Sequence, residues 1–451
     1  MPEPISIALL GAGARGELNL ATLARRHADA LRFVAVAEPH EGRRKRFAEA
    51  FRIPAENVFT DWREFADRPQ LADATLNALP CRMHFESALA SLMAGYHVFL
   101  EKPMALDPGE CVKLTDTASA LDRLLMIALQ CRYNRMYTRV RQQVDGGAIG
   151  RLMSIDCAEN IGYWHFVLSY VRGIHHHSSL SHSFVLAKGI HDLDLVAWFA
   201  GAPAARVASF GNLAFFREEN APPGAPERCT DGCPVEAGCE FSALKQYVRP
   251  GRPAIPMRLL TGMSAGAVWD VLTNPRFRTL ASVVSPDDLS ESARLAALAE
   301  TDYGRCVFRA PNDVVDHQTV SIEFENGVTA SLHLNAFSVA WERTLNLHGT
   351  AGELRSADFS GKLQTRTFNP ARVRDERIRY HGVIHGGGDE VILVEFARAV
   401  RSRDFDSTLV SARNTLASHL ICFAAEEARL QGRVVEMEAF RKRAVSAAAA
   451  L

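Results

Sequence analysis

The sequence predicts an α/β protein built on an N-terminal doubly wound parallel sheet of the Rossmann type, with a second α/β domain after it. Three observations carry that reading. Residues 5–16, ISIALLGAGARG, run from an apolar strand into glycines at Gly11, Gly13 and Gly16. Short apolar runs then alternate with helical stretches through the first 130 residues. A chain of 451 residues also exceeds one ordinary core, so two domains are the natural division.

Residues 5–10 are mostly apolar, as expected for a parallel strand covered on both faces. The G-x-G-x-x-G spacing that follows gives each glycine its own task. Gly11 permits a tight bend, Gly13 lets a pyrophosphate approach the backbone, and Gly16 lets a helix over 17–27 pack close to the strand. Free N–H groups at the start of that helix, around Ala14 and Arg15, then face the phosphates. Residues 31–37 form a second apolar strand ending at Glu38. That acid follows Gly16 at close to the spacing of roughly 20 residues expected of a carboxylate that takes ribose hydroxyls. It favours NAD over NADP, whose 2′-phosphate would meet a negative charge, although Arg43 and Arg44 soften the preference.

Composition narrows the function classes. Lys and Arg number 51 against 52 Asp and Glu, which argues against nucleic acid as the main partner. No apolar run reaches the length of a membrane span and the N-terminus shows no signal-peptide pattern, so a cytoplasmic protein is expected. Nine cysteines, an odd number in a chain without export signals, should be mostly reduced side chains rather than a disulfide framework.

Beyond Glu38 the pattern predicts helices over 42–51 and 62–66, a short strand over 57–59 and a buried strand over 74–79 closed by Pro80. A helix over 84–94 ends at Gly95, and a strand over 97–100 runs into Glu101-Lys102-Pro103. A helix over 108–121 and a strand over 124–129 complete the nucleotide domain. The Glu-Lys-Pro element lies at the carboxyl end of a parallel strand, where open α/β sheets place ligands. The residue before a proline is held extended, which aims Lys102.

The glycine turn GAGARG and the EKP element, with Pro80 and His84 between them, resemble the glucose–fructose oxidoreductase / inositol dehydrogenase / rhizopine-catabolism family, Gfo/Idh/MocA. The resemblance covers essentially the whole chain. It implies an NAD-binding domain over 1–130 in which Pro80, His84, Glu101 and Lys102 join the glycine loop at the cofactor. It further implies a substrate and oligomerisation domain over 131–451, with a large, open, mostly antiparallel sheet. The sequence agrees, with strands expected over 150–162, 314–325, 327–336 and 343–349 and a hairpin turn at Glu325-Asn326-Gly327. A helix over 411–430 carries Ala417, Leu420, Ile421, Ala424 and Ala428 as a core stripe.

Lys188, His191 and Asp192 fall at i, i+3 and i+4, on one face of a helix. In the family this helix supplies the histidine beside the nicotinamide and the reacting carbinol, a role the resemblance gives to His191. Many relatives carry an aspartate four residues earlier, where this chain has Ala187, so Lys188 or Asp192 is expected to contribute instead. Oxidation of a secondary alcohol needs a base, which suits a histidine with an ordinary pKa of about 6.5. It also needs a cation for the developing alkoxide, which suits Lys102. Arg132 and Tyr133 are second-tier candidates. Tyr163, Trp164 and Arg172 are the kind of groups on which a hydroxyl-rich ring stacks and bonds. Asp389, in a GGGD segment, is read either as a helix N-cap or as a substrate ligand. His175, His176 and His177 point in different directions on any regular element and read as loop rather than metal site.

A Pro- and Gly-rich loop over 211–256 holds Cys229, Cys233 and Cys239, with Cys306 as a candidate fourth ligand. Structural zinc is expected there, with unligated thiols or an iron–sulfur cluster as the other readings.

The expected activity is NAD-dependent hydride transfer to or from a carbinol of a sugar, sugar derivative or cyclitol. A redox-neutral glycoside hydrolase that oxidises a sugar transiently is the alternative, and a non-catalytic dinucleotide sensor a third class. An open sheet face points to a homo-oligomer, a dimer or tetramer.

Overall fold

In the computed structural model, which describes residues 3–249, 280, 283–339, 341–380 and 385–451, the chain divides into two compact units. Met1–Tyr137, Gly387–Ala424 and Glu436–Leu451 form the first, and Thr138–Gly386 with Ala425–Val435 form the second. Residues 250–256 of the predicted cysteine loop lie outside the described residues. No helix among the described residues is long and apolar enough to cross a membrane.

The first unit grows from strand β1, Ile5–Leu10, buried at every position but Ser6 because helices cover both its faces. Strands β2 (Leu31–Ala37), β3 (Val58–Phe59), β4 (Ala74–Asn77), β5 (His97–Leu100) and β6 (Leu125–Ile127) join it in the order β3-β2-β1-β4-β5-β6. All pair in parallel. The order reverses between β1 and β4, so a crevice opens at the carboxyl ends of these two strands. Gly11, Glu38, Pro80 and Glu101 all sit at carboxyl ends of this sheet. The helices Gly388–Ser402 and Met437–Ala448 belong to this unit as well. Met437–Ala448 lies so close to the helix Pro108–Ala120 that a Cβ on Gly109 would stand 2.9 Å from that of Ala447.

The second unit is built on a nine-stranded sheet. Its strands are β7 (Leu152–Gly162), β8 (Ala204–Asn212), β9 (His317–Phe324), β10 (Thr329–Ser338), β11 (Glu342–Gly349), β12 (Gly352–Ala357), β13 (Lys362–Thr367), β14 (Arg372–Arg377) and β15 (Val435–Glu436). They lie in the order β14-β13-β12-β11-β7-β10-β9-β8-β15. Strand β7 pairs antiparallel with β11 and parallel with β10. The predicted hairpin joins β9 to β10, and Gly327 takes the positive φ of 84° that the turn demands. Side chains alternate along these strands, with Ile155, Val320, Ile322, Leu332, Leu334 and Leu345 on the buried face. The helix Ile190–Ala200 packs on that face against β7. Two charged residues share the buried face: Glu159 of β7 and Arg343 of β11, directly opposite each other in the ladder.

In the helix Ala412–Gln431 the predicted stripe holds at Leu420, Ile421, Ala424 and Ala428. Ala417 is exposed instead, and Ser418 and His419 are buried beside it.

Candidate active site

The three glycines after β1 differ in what surrounds them. Gly11 adopts φ +90°, and a Cβ there would stand 2.8 Å from the Ala78 carbonyl oxygen. At Gly16 a Cβ would fall 2.1 Å from the Gly11 carbonyl oxygen, so chain packing alone requires glycine. A Cβ on Gly13 would meet nothing nearer than Arg43 Nη1 at 4.0 Å. Packing therefore does not explain that glycine, whereas room for a ligand at the backbone does.

Glu38 is buried at the end of β2 and faces the same loop. Its carboxylate accepts the Ala12 N–H at 2.7 Å and the His40 N–H at 3.0 Å. Arg44 donates to the Glu38 and Pro39 carbonyl oxygens, so its charge is directed at backbone.

Arg15 ties the glycine turn to the Glu-Lys-Pro element. Its Nε donates to Glu101 Oε1 at 2.6 Å and its Nη2 to Asp389 Oδ1 at 2.5 Å. Burial by itself lowers the Arg15 pKa, but the charges and hydrogen bonds of Glu101 and Asp389 outweigh it and raise the pKa above the ordinary arginine value. Asp389 also accepts from Gln130 Nε2 at 3.0 Å. It lies in the first turn of its helix, and Gly387 occupies the capping position without a side-chain bond, so Asp389 is not the N-cap.

Two buried histidines pin the segment around Lys102. His84 places Nδ1 2.6 Å from the Pro103 carbonyl oxygen and Nε2 2.9 Å from that of Leu79, joining the turn after β4 to the turn after β5. Burial lowers its pKa, partly opposed by those two carbonyls. His419 Nε2 accepts the Met104 N–H at 3.0 Å. Pro80 starts the short turn Cys81–Met83 that leads into His84. The first unit thus brings Gly11, Gly13, Ala14, Arg15, Gly16, Glu38, Pro80, His84, Glu101, Lys102 and Asp389 to one end of its sheet. Arg15, Gln130 and Asp389 form a link that local spacing does not reveal.

In the second unit Lys188, His191 and Asp192 are all buried, on the helical run from Val185 through Ala200. Lys188 Nζ lies 3.0 Å from Glu159 Oε1 and 3.8 Å from the centre of the Trp341 ring. Trp341 Nε1 donates to the same Glu159 oxygen at 2.7 Å, and His165 stacks on Trp341 with ring centres 4.8 Å apart. Arg343 Nη2 lies 2.9 Å from Glu159 Oε2, and its Nε donates to Asp192 Oδ1 at 2.5 Å. Complete burial pushes the Asp192 carboxyl up to about 6; Arg343 opposes the rise and the Glu159 charge adds to it. Glu159 moves the other way, because Arg343 and Lys188 outweigh its burial. Lys188 and Asp192 therefore hold the helix in register with the sheet. Glu159 and Arg343, which organise them, were missed by the sequence reading; their signal is a charged residue at an inward position of a strand.

Tyr163 and Trp164 form the helical turn Tyr163–Phe166 just after β7. A Cβ on Gly162 would stand 2.6 Å from Trp164 Nε1, so that glycine lets the indole fold back. Arg172, expected on a sugar, is engaged by backbone carbonyls. Its side chain is buried, with Nε donating to the Arg305 carbonyl at 2.7 Å and Nη2 to that of Phe241 at 2.9 Å. The three adjacent histidines do separate local work. His175 stacks on Tyr170, His176 Nδ1 bonds the Gly173 carbonyl, and His177 caps Ser178–Ser181.

Cys229, Cys233, Cys239 and Cys306 line one cavity in the second unit, as their spacing suggested. The zinc expectation is corrected, however. Among the described residues no group of three or more His, Cys, Asp or Glu is placed to hold a metal ion.

Residues 5–129 match the family model GFO_IDH_MocA, described as an oxidoreductase family with an NAD-binding Rossmann fold. The chain is 21% identical to YteT of Bacillus subtilis (strain 168) over 370 residues, covering 78% of this chain and 77% of that one. It is 24% identical to an inositol 2-dehydrogenase of Corynebacterium glutamicum over 208 residues, covering 45% of this chain and 56% of the relative. The chain thus spans little more than half the length of that dehydrogenase. A solved levoglucosan dehydrogenase, in complex with NADH and levoglucosan, superposes with a TM-score of 0.69 at 16% identity, over 96% of this chain and 100% of that one. That likeness shows a shared fold.

Proposed function

We propose, for a chain that belongs to the Gfo/Idh/MocA oxidoreductase family, that it transfers hydride between NAD and a carbinol of a sugar, sugar derivative or cyclitol. The observation that carries this reading is the contrast among the glycines: Gly11 and Gly16 are demanded by the chain itself, while Gly13 opens onto free space. The backbone from Gly11 through Gly16 would hold the pyrophosphate. Glu38 keeps acceptor sites beyond the two N–H groups it already binds, enough for ribose hydroxyls. Arg43, the neighbour of Gly13, is the group a 2′-phosphate would meet, which makes NADP the second choice.

When bound, the nicotinamide supplies the hydride acceptor. Lys102 stabilises the alkoxide charge that develops as the C–H bond weakens, and His191 takes the hydroxyl proton. Glu101, His84 and Asp389 position Lys102 and the glycine turn through the contacts described above. Glu159 and Arg343 position His191 by fixing Lys188 and Asp192 on either side of it. Tyr163 and Trp164 present aromatic faces to a hydroxyl-rich ring.

The test is incubation of the purified protein with NAD and a panel of free sugars, cyclitols and aryl glycosides, following reduced nicotinamide absorbance and products together. Accumulating NADH with an oxidised carbinol is the expected result. Glycoside cleavage without net NADH would replace net oxidation with a redox-neutral hydrolase, and no turnover on any class with NAD bound would favour a sensor.

A further inference from the structure

We propose that the second unit holds an apolar corner for a flat aglycone, so that the preferred substrate is a glycoside carrying an aromatic group. This deepens the function proposed above and rests on it, since the sugar half is assigned there to Tyr163 and Trp164.

Three phenylalanine rings form a pile that runs from the core to water. Phe166 lies against Phe216 with ring centres 5.6 Å apart and planes 22° from parallel, and Phe216 lies against Phe337 at 5.6 Å and 14°. Phe166 and Phe216 are buried, whereas Phe337 is 43% exposed. One face of Phe337 is thus taken by Phe216, and the pile ends in a ring that water still reaches. Phe215, 37% exposed, stands at 85° to Phe337 with ring centres 5.4 Å apart, so the two exposed rings make a corner.

The backbone is shaped to hold Phe337 there. Asn335 of β10 pairs with Asn160 of β7 and Ser338 with Gly162, so β10 takes three steps against two and bulges at Ala336 and Phe337. Asn335 Oδ1 accepts the Phe337 N–H at 3.0 Å. Bulges re-aim side chains beside binding sites, and this one sits at the end of β7, where Gly162 leads into Tyr163. Ring contacts make the same connection: Tyr163 meets Phe241 at 6.0 Å, and Phe241 meets Phe215 at 5.7 Å. The corner is therefore continuous with the residues to which the sugar is assigned.

The chemistry of the corner selects its occupant. A sugar hydroxyl gains little from phenyl rings, whereas a planar apolar group continues the pile on Phe337 and meets Phe215 edge to face, the arrangements that aromatic pairs prefer. Two part-exposed rings offer on the order of 10² Å², far short of the roughly 800 Å² per partner in a stable protein interface.

The experiment titrates the full chain, with NAD present, with paired 4-nitrophenyl and methyl glycosides, glucosides and galactosides of both anomers, and then follows NADH from each. Expected is binding of the aryl member about tenfold tighter or more for the sugar that is accepted, from one added stacking contact and its buried ring. Phe337→Ala should erase that difference, and Phe337→Tyr, which keeps the ring, should retain it. Equal affinity for both members of every pair, binding of neither, or an advantage that survives in Phe337→Ala would each overturn the corner. A wild-type dimer in sedimentation that Phe337→Ala dissociates would give the rings to a second copy and overturn it too. Tighter aryl binding without NADH would keep the corner and remove hydride transfer, whereas NADH formed with equal kcat/KM from both members would do the reverse.

Discussion

At the scale of single residues, the candidate site depends on charges held where water is scarce. Lys102 leaves a strand end whose neighbours are fixed by His84, His419 and the Arg15 ion pairs, so its replacement should remove a cation without collapsing the loop. Lys102→Ala is expected to lower turnover by about 10²-fold or more while the NAD dissociation constant changes little. Equal turnover would remove its assigned role. Asp192 gives a pH prediction with a definite sign. Its carboxyl titrates at about 6 in the folded chain, against about 3.9 when unfolded. Between those values the folded state holds a proton that the unfolded chain has released, so this group's contribution to stability falls as pH rises from about 4 to about 6. Glu159, depressed by its cations, acts in the opposite sense and loses its contribution as pH falls. Urea unfolding should therefore show wild type gaining stability relative to Asp192→Asn as pH drops from about 6 to about 4. Parallel curves for the two proteins would contradict the raised carboxyl.

At the scale of elements, the glycine turn separates folding from binding. Gly16→Ala forces a Cβ against the Gly11 carbonyl and should destabilise the first unit. Gly13→Val puts its branch into open space, so its melting temperature should stay near wild type while NAD binding is lost. An unchanged NAD dissociation constant in Gly13→Val would overturn the phosphate assignment. The turn was legible because its information is local: three glycines at fixed spacing between an apolar run and a helix. The hairpin at Gly327 and the inward stripes of β9 and β10 were legible for the same reason. Strands β12, β13 and β14 were not. Their sequences GELRSA, KLQTRT and RVRDER bury few apolar groups, and β14, the last in the sheet order, is charged and mostly exposed, which suits an edge strand. The Glu159–Arg343 pair was also hidden, since cross-strand register is set by the whole sheet. Cysteine spacing announced convergence on a shared cavity, but among the described residues that convergence does not make a metal-holding group.

For the whole molecule, each unit has its own chemical endowment. The first carries a switch point between β1 and β4 with the glycine turn, Glu38 and Lys102 at its carboxyl ends. The second carries the buried Lys188–Glu159–Arg343–Asp192 chain and the cysteine cavity. One groove on its sheet is lined by polar and apolar residues together, Ser154, Asp156, Ser321 and Glu323 beside Val207, Ala208 and Val434. The reaction proposed for the chain is direct hydride transfer between a carbinol carbon and nicotinamide. Isotope tracing decides it: the sugar or cyclitol that turns over is deuterated at that carbon, and the cofactor is analysed by mass after a single turnover. Deuterium on the nicotinamide ring is the predicted result; product formation with an unlabelled cofactor would contradict it.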